Sequence, residues 1–300
     1  FSWFVYPPYM LLGLWPLGEV DYGEAVAWWS LAPLPFFMGL LWVLARRAGL
    51  KGRGYAVLLA FTLPLLSANL FSGQTGAWLA VFLMGAVVLL RRPVLAGVCI
   101  GLIAVKPQLG VLLPLALAAS GQWRAFGAAA VTVVALAVSA TLWLGAGIWG
   151  DYLEMTRLFG RFIGEGYDGI RPLVVGPYVS LTAVGLPAGL AAAVQAGVAL
   201  GVVAAVWRLF RDEAASSELR WGMLAVGTLL VTPYSLAYDT PLLALAMLPL
   251  LARAWRGEGD GLELAALAAL VLLPFTGPLL IRQHVPFALG ALLLTAVALW

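Results

Sequence analysis

The chain has 300 residues, of which 63% are hydrophobic and only 10% are charged, and its formal net charge is +3. Soluble domains carry about 25% charged residues, so a folded core in water could not hide this much apolar surface. The composition therefore predicts a polytopic membrane protein. One cysteine, Cys99, excludes an internal disulfide, and no Cys/His cluster offers a metal site, so no cofactor is expected. The small net charge bears on membrane topology rather than on nucleic-acid binding.

The two ends of the sequence bear on whether the chain is complete. It begins with FSWFVYPP, without an initiator methionine or a signal peptide, and it stops inside the apolar run LLLTAVALW. We expect a single transmembrane domain over residues 1–300 that is an internal fragment of a longer protein. An N-terminal helix and a first outer loop would then precede Phe1.

Apolar runs of about 20 residues can cross a bilayer as helices. The candidate spans lie at roughly 26–45, 55–71, 76–90, 126–146, 184–207, 219–236, 240–252, 262–281 and 285–300. Shorter apolar runs lie at 9–18, 94–105 and 109–119. The predicted fold is all-α, a polytopic transmembrane helical bundle with short broken or re-entrant helices at the extracytoplasmic face.

Basic residues divide the connecting segments into two sets. Cationic residues favour cytoplasmic loops. Twelve of the 17 lysines and arginines fall in five segments that can share the inner side, at 46–53, 91–92, 122–124, 208–220 and 253–261. The opposite side then receives the polar triplets and the aromatic-proline motifs, at 71–76, 105–108, 147–183, 232–241 and 281–286.

Lys106 and Gln108 lie in the otherwise apolar stretch IAVKPQLGVLLPLAL, between the two half-length runs. Pro107 predicts a fixed helix break. Non-helical backbone inside a membrane persists only where protein or a water-filled cavity surrounds it, so Lys106 is expected to face a cavity open to the outside. The alternative is that its ammonium extends to lipid phosphates.

Other polar residues on this side are candidates for binding substrate. Gln74 lies between glycines in FSGQTGAWL, where it could hydrogen-bond a sugar or could belong to an ordinary turn. In VTPYSLAYDTPLL, Asp239 could cap the following helix, line a pocket, or do both. Tyr234 and Tyr238 could stack on a sugar ring or belong to the interfacial aromatic belt.

The segment 150–163 has Tyr152, Met155, Leu158 and Phe159 at helical spacing, which predicts an amphipathic helix on the membrane surface. Beyond it, Arg171 could bind a phosphate because a guanidinium group contacts phosphate oxygens in bidentate fashion. His284, the only histidine, is expected to have no catalytic role.

Three blocks resemble glycosyltransferase family 87, in order and spacing along most of the chain. They are YPPYMLLGLWPLG, the block from SGQTGAWL through RRPVLAG and KPQ to GQWRAF, and TPYSLAYDTPLL. The resemblance implies a GT-C fold with its active site at the extracytoplasmic face of a bacterial cell membrane. It also implies transfer of mannose or a related hexose from a polyprenyl-phosphate donor to a glycan or glycolipid acceptor.

Within that resemblance, Lys106 is the candidate for stabilising the leaving phosphate, with Arg171 second. Gln74, Gln108, Tyr234, Tyr238 and Asp239 are the candidates for binding the sugar. The family's general base is expected to be an aspartate in an outer loop ahead of the YPP motif, and Asp21, which follows that motif, does not match its position. The competing functions are a polytopic transporter or lipid flippase with a central polar site, and a membrane scaffold without activity.

Overall fold

The computed structural model describes residues 4–164, 173–283 and 285–300. These residues form helices joined by turns, with an isolated antiparallel bridge between Val174 and Leu236. The α-helices in chain order are α1 Met10–Leu14, α2 Tyr22–Leu31, α3 Pro33–Arg47, α4 Arg53–Thr62, α5 Ser67–Ser72, α6 Gly76–Val88, α7 Pro93–Leu102, α8 Pro107–Gly110, α9 Leu113–Ala119, α10 Trp123–Leu144, α11 Ile148–Gly164, α12 Pro177–Ala183, α13 Ala188–Arg211, α14 Ser217–Val231, α15 Ala244–Trp255, α16 Gly261–Arg282 and α17 Phe287–Ala298. Short 3₁₀ segments lie at Trp15–Glu19, Leu63–Leu66, Ile103–Val105 and Ala237–Leu243.

The all-α class predicted from the sequence is confirmed. Among the described residues, four helical segments are long and apolar enough to cross a membrane: Tyr22–Arg47, Arg53–Ser72, Trp123–Leu144 and Ala188–Arg211. The run predicted at 262–281 forms α16 at its expected length, whereas the spans predicted at 76–90, 219–236, 240–252 and 285–300 form shorter helices. One reason is proline, which lacks a backbone N–H and interrupts the α-helical hydrogen bonds. Pro241, for example, lies in a 3₁₀ segment that occupies the start of the run predicted at 240–252.

The helices divide into a buried centre and an apolar periphery. Ten consecutive residues of α14, from Trp221 to Leu230, are buried, as are nine of α15, from Ala244 to Ala252. In α10, by contrast, the buried residues are Ala125 and Ala140, while large apolar side chains such as Leu142 are exposed. A helix that exposes apolar side chains in this way is stable against hydrocarbon rather than water, which agrees with a membrane environment.

Two glycines let α7 and α10 pack closely. A Cβ atom added to Gly97 would lie 2.3 Å from the carbonyl oxygen of Ala125, and one added to Gly101 would lie 2.5 Å from the Cβ of Thr132. The spacing of these glycines is the small-xxx-small pattern that allows membrane helices to approach each other. The packing matters for the site because α7 leads directly to Lys106.

The two sets of connecting segments lie at opposite ends of α6. Its first residue, Gly76, lies against the carbonyl of Tyr238. At its other end, the carbonyl of Val88 accepts a hydrogen bond from Arg47 Nη2 at 3.1 Å. The polar motifs and the basic segment that begins at residue 46 are therefore separated by the length of the helix. That the polar end faces out of the cytoplasm stays a prediction.

The packing of α7 on α10 can be tested with a matched pair of glycine substitutions in the full-length protein. Gly97→Ala should lower the free energy of unfolding by about 1–3 kcal/mol, because its methyl group meets backbone atoms of α10. Gly127→Ala, in α10 itself, places its methyl group where nothing lies within 4 Å. The control should therefore be neutral or about 0.5–1 kcal/mol more stable. Denaturant unfolding in detergent measures both, and equal stability of the two variants would contradict this packing.

Candidate functional site

A cavity of about 710 Å³ brings together six of the seven site residues predicted from the sequence. The six are Gln74, Lys106, Gln108, Tyr234, Tyr238 and Asp239. They come from three stretches of chain that are far apart in sequence: the turn before α6, the break between α7 and α8, and the segment between α14 and α15. The seventh, Arg171, lies outside the described residues, as does His284.

A buried ion pair joins two of these stretches. The Lys106 ammonium donates a hydrogen bond to Asp239 Oδ1, and the two side chains are 8% and 4% exposed. The ammonium also lies 4.4 Å from the centre of the Tyr238 ring, which favours a cation electrostatically. Asp239 Oδ2 accepts from the backbone N–H of Leu236 at 3.2 Å. Asp239 therefore lines the cavity and caps its own 3₁₀ segment rather than the following helix α15, whose N-cap is Leu243.

Pro107 explains the position of Lys106. A residue that precedes proline is pushed out of the α-helical conformation by the proline ring. Lys106 accordingly has φ −133° and ψ 78°, between the 3₁₀ turn Ile103–Val105 and α8. The helix break predicted at the KPQ triplet is confirmed. It turns the lysine side chain away from the helix surface and toward Asp239.

The segment 232–239 is held by backbone hydrogen bonds on one side and by a glycine on the other. The Ser235 carbonyl accepts hydrogen bonds from the N–H groups of Val175 and Gly176, at 2.9 and 3.0 Å. A Cβ atom added to Gly76 would lie 1.7 Å from the carbonyl oxygen of Tyr238, so only glycine fits there. The chain next to Asp239 is thereby fixed between α6 and the start of α12.

Two further polar residues hold the ends of neighbouring helices. Gln195 Nε2 donates to the carbonyls of Leu230 and Val231, both at 3.0 Å, and its Oε1 accepts from the N–H of Tyr178 at 3.1 Å. These bonds satisfy carbonyls that the last turn of α14 leaves unpaired. Thr232 Oγ1 donates to the Gln108 carbonyl at 3.0 Å. The loop after α14 is therefore tied to the KPQ triplet as well as to α13.

Tyr6 shapes the cavity wall beside Gln74. Its hydroxyl donates a hydrogen bond to Gln74 Oε1, so the glutamine of the Gly-Gln turn is oriented by the YPP motif.

Burial raises the pKa of the Tyr238 hydroxyl, and the negative charge of Asp239 raises it further. The Tyr238 phenol therefore keeps its proton at physiological pH and serves as a hydrogen-bond donor rather than as a base.

The sequence analysis missed several residues of the cavity wall. Tyr6 was not among the predicted site residues, and neither was Gln195, although a lone glutamine in an apolar span is a signal that could have identified it. The helix predicted at 150–163 is confirmed as α11, and it adds Tyr152, Thr156, Phe159 and Gly160 to the lining. Of the predicted apolar stripe, Tyr152 and Phe159 line the cavity, and that α11 lies on the membrane surface stays a prediction.

An apolar groove of about 490 Å³ adjoins the cavity. At three places a residue of the cavity wall and a residue of the groove wall are close in sequence. The pairs, with the cavity residue first, are Tyr6 and Tyr9, Gln74 and Thr75, and Lys106 and Val105. Its other walls include Met10, Trp28, Trp29, Trp78, Phe82, Leu102 and Leu136. The rings of Trp29 and Trp78 are 5.5 Å apart, and Trp28 is 65% exposed at the groove's edge. The two spaces share no lining residue, and their walls touch where the Tyr6 hydroxyl lies 3.4 Å from Thr75 Oγ1.

No metal site is evident in the parts of the chain that the structure describes, where no three His, Cys, Asp or Glu side chains lie close enough to hold an ion. Lys106 and Asp239 are the charged residues that line the cavity there, apart from the tyrosine hydroxyls. A cavity with a single cation next to one carboxylate, several amides and several phenols can bind a neutral polyol and one anionic group.

Comparison with protein families decides the class of protein. The model for glycosyltransferase family 87 matches residues 4–233. The chain belongs to glycosyltransferase family 87. It is therefore a membrane glycosyltransferase, which acts on a sugar donor and an acceptor in the membrane, and the resemblance identified from the sequence motifs is confirmed. The match includes Gln74, Lys106 and Gln108 and ends one residue before Tyr234. No curated protein and no solved structure matches the chain.

The ion pair can be tested by removing its members singly and together in the full-length protein. Lys106→Met and Asp239→Asn should each lower the free energy of unfolding by about 3–5 kcal/mol, because each leaves one buried charge without its partner. The double variant should recover most of this loss, since no buried charge remains. Thermal unfolding in detergent measures all four proteins, and a double variant as unstable as the sum of the singles would contradict the pairing.

Proposed function

We propose that this protein transfers a hexose, mannose or a close relative, from a polyprenyl-phosphate donor to a hydroxyl of a glycan or glycolipid acceptor. The acceptor oxygen forms a bond to the anomeric carbon while the bond from that carbon to the phosphate oxygen breaks, with inversion. The bonding electron pair leaves with the lipid phosphate, and a general base takes the hydroxyl proton. The reaction is placed at the extracytoplasmic face of the cell membrane, where the polar motifs are predicted to lie.

Lys106 is proposed to stabilise the phosphate as it leaves. An ammonium group has three N–H donors, and Asp239 takes one of them. The others can contact phosphate oxygens, where negative charge grows in the transition state. A fixed cation in a site of low dielectric contributes several kcal/mol at that point. The role of Asp239 in this proposal is to hold the ammonium in place, together with the ring of Tyr238.

Asp239 is not proposed as the general base. One of its oxygens accepts from Lys106 and the other from the N–H of Leu236, so both are already engaged. No other described residue is proposed as the base. Gln74, Gln108, Tyr234 and Tyr238 are proposed to orient the sugar hydroxyls, because amides and phenols both donate and accept hydrogen bonds.

The apolar groove supports a lipid-linked donor over a nucleotide sugar. Its wall includes Val105, the residue before Lys106, so we place the polyprenyl chain among Trp28, Trp29 and Trp78 with its phosphate at the ammonium. A nucleotide donor would gain nothing from such a surface. The sequence has no P-loop, and its G-x-G-x-x-G match in the described residues, GAGIWG at 145–150, follows helix α10 rather than the strand that a dinucleotide-binding turn requires.

The observation that carries this proposal is the position of Lys106, buried against Asp239 in the wall of the cavity. In the full-length enzyme, Lys106→Met should lower kcat by about 100-fold, the effect typical of losing one group that stabilises transition-state charge. The matched control is Lys51→Met, which removes the chain's other lysine, at the basic end. It should leave the rate unchanged.

Transfer from polyprenyl-phosphate mannose and from a nucleotide-linked mannose is measured for each protein, with a glycan acceptor. The double variant Lys106→Met/Asp239→Asn separates chemistry from folding, because it should fold well and still be slow. Normal turnover by that double variant would remove Lys106 from the mechanism. Preferential use of the nucleotide sugar would remove the lipid donor.

A further inference from the structure

One face of α11 lines the cavity over two turns of helix. Tyr152, Thr156, Phe159 and Gly160 all belong to the lining, at spacings of four, three and one residues. At 3.6 residues per turn the four positions fall within about 100° of one another around the helix, so they share one side. From Tyr152 to Gly160 this side is about 12 Å long, at 1.5 Å per residue. We call these four residues the α11 wall.

The α11 wall carries no charge. The ionisable residues of the same helix, Asp151, Glu154, Arg157 and Arg161, are exposed and are not part of the described cavity lining. The wall instead presents two aromatic rings with a hydroxyl between them. Aromatic faces pack against the C–H faces of sugar rings, and hydroxyls orient their oxygens. This chemistry fits a neutral carbohydrate and offers no cation to a phosphate.

Gly160 leaves open space at the far end of the wall. A Cβ atom added there has nothing within 4 Å, so no packing among the described residues requires a glycine. Glycine inside a helix costs about 0.5–1 kcal/mol relative to alanine. Its missing side chain enlarges the cavity next to Phe159, whose ring lies 6.5 Å from that of Tyr234 in an edge-to-face arrangement.

The wall also runs away from the apolar groove. At its first residue, Tyr152 packs on Trp149, which in turn packs on Tyr9 of the groove. At its other end, Phe159 and Gly160 lie beside Tyr234, and the groove lining includes no residue of α11, α12 or α13. A ligand on the far part of the wall is thus separated from the place proposed for the donor lipid.

We infer that the α11 wall is the binding subsite for the carbohydrate part of the acceptor, with Gly160 providing the room for a sugar ring. The word acceptor rests on the transferase function proposed above, whereas the binding of a neutral sugar at this wall does not. Tyr152 and Phe159 stack on the ring, and Thr156 contacts its hydroxyls. The wall thereby selects a neutral glycan and holds its hydroxyl toward the sugar of the donor.

The test fills the space at Gly160 in the full-length protein. Gly160→Leu and, one turn earlier, Thr156→Leu should each block the subsite, whereas Gly160→Ala should not. The matched control is Gly150→Leu, in the same helix, with nothing within 4 Å of its added Cβ and outside the cavity lining. Binding of methyl α-mannoside, methyl β-glucoside and methyl β-galactoside is measured by saturation-transfer NMR, and binding of decaprenyl phosphate is measured in parallel.

We expect at least one of these glycosides to bind, and its signal to fall at least tenfold in Gly160→Leu and in Thr156→Leu. Glycoside binding by Gly150→Leu and by Gly160→Ala should equal that of the unaltered protein. Binding of decaprenyl phosphate should be the same in all variants. Glycoside binding that survives both blocking variants would overturn the inference, as would no glycoside binding at all. Equal loss of lipid and sugar binding would assign the wall to the donor and would also overturn it. Sugar binding with this pattern but without transferase activity would keep the subsite and reject the proposed function.

Discussion

The structure of the site depends on the ion pair between Lys106 and Asp239. An isolated charge buried this deeply is costly, so each of the two residues stabilises the other in its position. The pair joins the break after α7 to the 3₁₀ segment before α15, two stretches 133 residues apart in the chain. Everything else around it acts to keep these stretches at the right separation: the glycine at position 76, the bonds to the Ser235 carbonyl, and Gln195.

Much of this arrangement could be predicted from single residues that do not fit their surroundings. A lysine before a proline inside an apolar run indicates both a helix break and a cavity, and Pro107 produces that break as expected. Gln74 and Asp239 stand out for the same reason, as polar residues beside glycine or proline in an apolar chain. The charge pattern also grouped these motifs correctly. Once the basic segments are assigned to one end of α6, the polar motifs fall at its other end.

What the sequence could not provide were contacts between distant segments. Nothing local to Lys106 names Asp239 as its partner, and nothing in the YPP motif indicates that Tyr6 bonds to Gln74. The α11 wall could not be predicted from the sequence for another reason. Its aromatic residues fit the pattern of an amphipathic surface helix, and only tertiary packing shows that Tyr152 and Phe159 face a cavity while Leu158 does not. Helix lengths were overestimated where prolines or 3₁₀ turns shorten an apolar run.

The short helices on either side of Lys106 have a consequence for how far substrates must travel. Pro93–Val105 and Pro107–Ala119 are each about 20 Å long, whereas the hydrocarbon layer is about 30 Å thick. A helix pair of this length that starts at one membrane surface, beside Arg91, Arg92 and Arg124, ends about 10 Å short of the other surface, and Lys106 lies at that end. A molecule with its own hydrocarbon anchor already resides at that depth and arrives by lateral diffusion, while a free water-soluble one must first give up its hydration. Helix length alone thus favours substrates that are delivered sideways, from within the bilayer.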